Sequence, residues 1–513
     1  MTRMNILRAS LASASLVAGL TACNNDKLTR VNDNPNAPEQ VESSTLFTNA
    51  VIGSMSLIRG TTFEHGISGV WDQHYAELQY AEDDLNQPRN ATIEGVWTAM
   101  YSGALQDYNQ ILAQADAKPN ITGPTLVMRA FQVETMTDLW GDMPFSEAGK
   151  GSEDFTPVYD TQQAIYDSLF ASLDQAVALM QGIPAARIDI EPRFGSADPV
   201  FGNNDEDATE ETDGWIRLAN SLHARAAMRI SKADAGKAQA ELTKALAGPV
   251  ISSNAENALI TWPGGVLSNP LCLNWSDAGC GGTRDDQRVS ERFVDTLKVT
   301  NDPRLEAYAL PTPASQGDDP TACDITYRGF PNGHAAADVV NPCDPDQNNF
   351  SFSDYSRPTL TIRSETSPSY IMTYAELLFI KAEAAENGWI GGSAAQYYTD
   401  AIRASMEQWD IPTADIDAYL AQPGVVYAGG AQGRKQIAYE KWVALFNQET
   451  EAYAEYRRLD FPVLVPGPDA VTSTVPTRLP YPDIESSLNA DNLAAAKSAQ
   501  GDTDITGYVW WDK

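Results

Sequence analysis

Apolar residues return at three- and four-residue steps along most of the chain. Over residues 215–230, Trp215, Leu218, Leu222, Ala226 and Ile230 share one face, with Arg217, Arg225 and Arg229 off it. That pattern predicts an amphipathic helix, and Asp213 is placed to cap its N-terminus. A shorter helix over about residues 238–247 follows and is ended by Gly248-Pro249. The same two-helix layout returns at residues 371–386, where Ile371, Ala375, Leu378, Ala382 and Ala385 form the stripe and Asn387-Gly388 stops it; residues 394–409 are the return helix. It recurs over residues 434–458, and earlier as residues 126–140 with residues 161–180. Alanine at close-packing positions in paired helices is a habit of tetratricopeptide-like units, but the spacing is too irregular for an uninterrupted solenoid. The predicted fold class is therefore mainly α, a tetratricopeptide-like helical-hairpin scaffold with long irregular ligand-binding loops and little β.

Three loops interrupt the helices: residues 183–214, with an acidic centre at 203–213, residues 262–283, and residues 311–369, rich in Pro, Gly, Asp and Asn. Loops of this length on a folded domain are commonly functional. Trp97, Trp140, Trp215 and Trp442 sit on helical stripes and are expected in the core.

The N-terminus has a different character. Arg3 and Arg8 precede an apolar stretch at residues 9–20, too short to span a bilayer and of signal-peptide length. It ends in Leu20-Thr21-Ala22-Cys23, the pattern of a lipobox, in which Cys23 is acylated and becomes the first residue. Each buried acyl methylene adds ~0.8 kcal/mol of membrane affinity, so several chains on one residue hold firmly. The polar run after Cys23 cannot build a core and reads as a tether. The expected partition is residues 1–22 signal peptide, residues 23–40 lipid-anchored flexible tether, and residues 41–513 a single helical domain.

Charge narrows the partners. Asp and Glu total 69 against 35 Lys and Arg, a net charge of −34 over 513 residues. Such a surface repels phosphate backbones, which argues against nucleic acid. There are five cysteines. Export favours two sequence-local disulfides, Cys272 with Cys280 and Cys323 with Cys343, among three connectivities for four thiols; the spacings do not suit zinc. The run Asn203-Asn204-Asp205-Glu206-Asp207 offers carboxylates to calcium, against the plainer reading of a solvated acidic loop. No other cofactor is expected. Glu440, Glu449, Glu451 and Glu455 share one helical region and could be read as a hydrolase pair; the alternative is scaffold pairing, as between Glu455 and Arg458. No nucleotide, zinc-protease or serine-hydrolase motif is present, and His65, His74, His223 and His334 form no ligand spacing.

Several stretches in fixed order resemble a known family. They include Trp71-Asp72-Gln73-His74-Tyr75, Asp138-Leu139-Trp140-Gly141-Asp142-Met143-Pro144, Leu218-Ala219-Asn220-Ser221-Leu222, Met372-Thr373-Tyr374-Ala375-Glu376-Leu377-Leu378, Lys441-Trp442-Val443-Ala444-Leu445-Phe446 and Arg478-Leu479-Pro480-Tyr481-Pro482. In these the chain resembles the SusD/RagB nutrient-binding outer-membrane lipoproteins, in particular the SusD-like subgroup. The resemblance implies a lipoprotein on the outer face of an outer membrane. It would bind oligosaccharide, or in some members peptide, and deliver it to a SusC-like TonB-dependent transporter without catalysis. A surface glycan hydrolase and a purely protein-binding helical adaptor are the alternatives.

The resemblance marks scaffold rather than ligand contacts. Sugar binding needs a ring face for the pyranose C–H surface, with polar groups for its hydroxyls. The candidates are therefore the loop aromatics: Trp71, His74, Tyr75 and Tyr80 near the N-terminus, then Trp262, Trp275, Tyr327, Phe330, Phe352 and Tyr355.

Overall fold

The computed structural model describes residues 41–114, 118–150, 155–202, 207–316, 326–334, 351–501 and 503–513. Cys23, the tether, the acidic residues 203–206, Cys323 and Cys343 lie outside the described residues. Ser43–Lys513 is one compact unit.

Helices dominate. The scaffold is built from α1 (Ser43–Ile58), α2 (Pro119–Trp140), α3 (Gln162–Gln181), α4 (Ala208–Arg229), α5 (Ala235–Ala247), α6 (Glu291–Val299), α7 (Tyr374–Glu386), α8 (Ala394–Glu407), α9 (Gly430–Ala444) and α10 (Glu449–Leu459). The expected hairpins pack as pairs: α2 on α3, α4 on α5, α7 on α8 and α9 on α10. Between α7 and α8 the alanine positions let the backbones approach, with Ala375, Ala382 and Ala401 buried beside Leu378, Phe379, Tyr398 and Ile402. Side-chain caps fix several starts. Thr161 accepts from Ala164 N, Thr373 from Glu376 N and Ser393 from Gln396 N, each satisfying a donor the helix leaves orphaned.

The boundaries differ from the periodicity in three places. α4 begins six residues earlier than its apolar stripe suggests, capped by Asp207, whose side chain accepts from Thr209 N and Glu210 N; Asp213 lies inside the helix. Part of the expected acidic loop is thus the first turns of a helix. Ile371 is not helical: it belongs to the strand Ser369–Met372, wholly buried, and a short continuous apolar run cannot be told from helix by period alone. α2 starts at Pro119 and runs through Pro124, so its buried length is underestimated by starting at residue 126.

α4 is the central helix and is covered almost all round, so Arg225 and Arg229, although off the apolar stripe, are buried. Three helices supply their partners. Arg225 makes two 2.7 Å bonds to Glu376 of α7. Arg229 reaches Glu451 and Glu455 of α10 at 2.6 Å each and Asp138 of α2 at 3.1 Å. Arg458 holds Glu383 through both guanidinium nitrogens and also Glu455, the i,i+3 pair expected from the sequence. Lys441 closes the set on Glu455 at 2.6 Å. Burial pushes Glu455 up, but Arg458, Lys441 and Arg229 outweigh it and hold the carboxyl well below its ordinary range. Glu440 is likewise buried, on Arg304 at 2.5 Å. Glu440, Glu451 and Glu455 are thereby accounted for as scaffold.

Strand content is three two-stranded antiparallel ribbons among the described residues. β1 (Tyr75–Glu77) pairs with β5 (Gln287–Val289), β2 (Met143–Pro144) with β3 (Tyr159–Asp160), and β4 (Ala258–Ile260) with β6 (Ser369–Met372). The first of them assembles the candidate site.

Candidate functional site

Register in the β1–β5 ribbon sets Tyr75 opposite Val289 and Glu77 opposite Gln287. This brings the loop after β1 against the loop before β5: Leu78 N donates to Asp286 O at 2.7 Å, and Gln79 Nε2 bonds Asp286. Two further segments join alongside. Phe330 N donates to Val289 O at 2.9 Å, and Ser356 N donates to Arg328 O at 2.7 Å. Gly329 allows the first approach, since a Cβ there would lie 2.2 Å from Ser290 O. Three loops distant in sequence thereby share one surface.

Aromatic rings and guanidinium groups interleave on it and beneath it, Arg288 and Tyr355 being buried. Arg284 lies 4.8 Å over the Tyr80 ring, Arg288 5.6 Å over Phe352, and Arg328 4.5 Å over Tyr355. Tyr80 is 52% exposed even so. Phe352 and Tyr327 are partly exposed. Beneath them Ala76, Leu78, Phe330 and Tyr355 form a small closed core against which Phe352 packs.

The segment after Phe330 leads into a groove of about 550 Å³, lined among others by Gln73, Glu291, Asp295, Val299, Asn332 and Val465. That volume suits a small ligand. Its wall is held by polar bonds: Asn332 Nδ2 donates to Tyr75 O at 2.7 Å and Asp84 Oδ1 at 3.0 Å, and Gln73 Nε2 donates to Val465 O at 2.6 Å. Burial, then the neighbouring Asp295 one helical turn along α6, pushes the Glu291 carboxyl up.

The other expected ligand residues are elsewhere or closed. Trp71, His74, Tyr75, Trp262, Trp275, Phe330 and Tyr355 are buried, so their rings present no face to solvent in this structure. The reason is long-range packing. His74 sits among Phe293, Trp442 and Phe446, with Nδ1 on Glu449 of α10 and Asp72 Oδ2 3.6 Å away. Burial and then Glu449 push the Asp72 carboxyl well up. This Asp–His–Glu grouping, and the second formed by Asp174, His223 and Glu241, escaped sequence spacing because each draws on segments far apart in the chain. Trp262 Nε1 donates to Ser369 Oγ at 2.9 Å. Trp275 is roofed by Arg363 and lies edge-on to His65. The groove residues on α6 and Asn332 were missed; the only signal for them was the turn-forming Gly329-Phe330-Pro331-Asn332-Gly333 run.

The expected Cys272–Cys280 disulfide is present, with Cα atoms 5.9 Å apart. It orders the loop that carries Asp277, which holds Arg363 and, at 3.2 Å, Arg357; Arg357 in turn reaches Asp285 at 2.6 Å beside the platform. Closing so short a loop constrains the unfolded chain by about 2–3 kcal/mol. Cys272→Ser with Cys280→Ser should therefore lower the melting temperature measurably by calorimetry; an unchanged value would show that the ion pairs alone fix the loop.

The family model described as SusD-like, starch-binding and associating with the outer membrane, matches residues 35–482. No curated protein matches. Among solved structures, one described as a chitin-binding protein is 27% identical, with a TM-score of 0.76 over 92% of this chain and 100% of that one. A chitin-binding SusD homolog from Flavobacterium johnsoniae is 24% identical, with a TM-score of 0.73 over 91% and 99%. A SusD homolog from Bacteroides ovatus is 21% identical, with a TM-score of 0.77 over 91% and 99%. Among the described residues no helix is long and apolar enough to cross a membrane. With the family model matched across most of its length, this chain belongs to the SusD-like family.

Proposed function

We propose that the protein captures oligosaccharide at the outer face of an outer membrane and passes it to a SusC-like TonB-dependent transporter, making and breaking no bonds. The observation that carries this reading is the exposed Tyr80 ring beneath the Arg284 guanidinium, on a surface from which the Phe330–Asn332 segment leads to a groove of about 550 Å³. Acylated Cys23 anchors the domain, and the polar residues that follow give it reach, so the ligand is caught at high local concentration beside the transporter. A hydrolase reading finds no support in Glu440, Glu449, Glu451 and Glu455, which are buried.

Two of the similar structures are described as chitin-binding, so chitin-type oligosaccharides are the first ligands to try, with starch-type ones beside them. Isothermal calorimetry should show binding that Tyr80→Ala weakens about tenfold, the equivalent of ~1.4 kcal/mol. Failure of every neutral oligosaccharide to bind, together with no co-purification of a TonB-dependent barrel, would overturn the proposal.

A further inference from the structure

The chain carries a cavity whose charge runs against its own composition. It measures about 460 Å³ and lies between the C-terminal ends of α4, α7 and α10 and the first turns of α9. Its lining holds four basic side chains, Lys232, Arg434, Lys435 and Arg458, against one carboxylate, Glu383. In a chain with 69 acidic and 35 basic residues that sorting is unusual. A larger cavity of about 680 Å³ shows the ordinary pattern, with Asp302, Glu306, Asp410 and Asp415 on its wall and no base.

The four bases divide into two kinds. Arg458 is spent on Glu383 and Glu455, and Lys232 on Asp460 at 2.8 Å and Asp512 at 3.4 Å. Arg434 and Lys435 are exposed, and neither has an ion-pair partner among the described residues. Lys435 instead lies 5.8 Å over the Phe461 ring. Trp389, partly exposed just past the end of α7, supplies a second aromatic wall, and Asn387 a hydrogen-bonding amide. Two unspent cations, aromatic surface and an amide match a sugar unit that bears a carboxylate or sulfate: the C–H face meets a ring and the anion meets the guanidinium. The net charge of −34 does not forbid this for a short ligand, because charges beyond about 8 Å are screened at physiological salt and only the cavity lining counts.

We propose that this cavity is a second glycan subsite, selective for acidic sugar units and separate from the neutral-sugar platform around Tyr80. It takes the glycan-binding reading above as its premise and adds charge selection on the scaffold side.

The test is calorimetry on the full chain with trigalacturonate, its methyl ester and a sulfated galactose disaccharide. The acid trimer should bind and its uncharged ester at least about tenfold more weakly. Arg434→Ala with Lys435→Ala should remove acid binding without moving the melting temperature, and Tyr80→Ala should leave it intact. Binding of only the carboxylated or only the sulfated ligand identifies which anion the site takes, and either supports the proposal. Equal affinity for acid and ester, an unaffected double variant, or a tri-glutamate peptide that binds through Arg434 where neither sugar does, would each overturn it. Binding of the acid trimer with no neutral oligosaccharide bound anywhere would sink the platform reading and leave this one standing.

Discussion

Arg229→Met is expected to destabilise the protein by about 3–5 kcal/mol, more than any other single surface-directed or loop substitution considered above. The guanidinium is fully buried and serves three carboxylates contributed by two helices, Asp138 of α2 and Glu451 and Glu455 of α10. Methionine fills much the same volume but leaves those charges uncompensated, and it is the stranded charge rather than the lost attraction that sets the size of the effect. Glu455 keeps Arg458 and Lys441; Glu451 keeps only Arg225, at 3.5 Å. Adding Glu451→Gln to Arg229→Met should therefore recover part of the loss. With ~2.1 cal/mol/K per residue of unfolding entropy, each kcal/mol moves the melting temperature of a domain this size by about 1 °C. A single variant as stable as the parent, or a double variant in which the two losses simply add, would show that the network does not hold α4 in place.

The same residues mark where sequence reading stops. The hairpins were legible because a 3.6-residue period survives whatever lies beyond each helix. Arg225 and Arg229 were legible as off-stripe but not as buried, since their partners lie in α2, α7 and α10, from 91 residues upstream to 226 downstream. For the candidate site, some of the loop aromatics that the sequence singles out gather on one surface, with Tyr80 exposed. The sequence could not rank the rings: Tyr80 and Tyr75 stand five apart in one stretch, yet one is half exposed and the other sealed against Phe446. Exposure was decided by β5, α6 and α10 arriving from elsewhere. Asn332 and the α6 carboxylates carry no aromatic signal and became visible only as the wall of a groove.

Lowering the pH from about 8 to about 6 is expected to stabilise the protein, against the usual habit of carboxylate-rich chains. Burial pushes Glu64, Asp84 and Asp198 each up to about 7, from ordinary values of 4.5 for Glu64 and 3.8 for the two aspartates. Between those ordinary values and about 7 the folded state holds a proton that the unfolded chain has released. Stability then falls as pH rises through that window, by ~1.4 kcal/mol per group per pH unit, and stays low above it. Three groups over one effective unit give about 4 kcal/mol, or a melting temperature about 3–5 °C higher at pH 6 than at pH 8. The opposing terms enter lower down. His65, buried and held neutral to about 3, makes the folded state refuse a proton that the unfolded chain accepts below its ordinary 6.5, so its effect grows only on further acidification. Glu455, held well below its ordinary range, loses its contribution only as pH falls through that depressed value. The gain should therefore continue more slowly on the acid side of pH 6, three raised acids still outweighing one histidine down to about pH 4.5. Asp198 provides the control. Its carboxylate accepts from Trp215 Nε1 at 2.7 Å and Val200 N at 2.8 Å, so Asp198→Asn loses some stability at every pH, but it must also lose one group's share of the slope. A melting temperature that is flat or falling from pH 8 to pH 6, or a slope that Asp198→Asn leaves unchanged, would mean that these acids reach their charged forms without strain inside the fold.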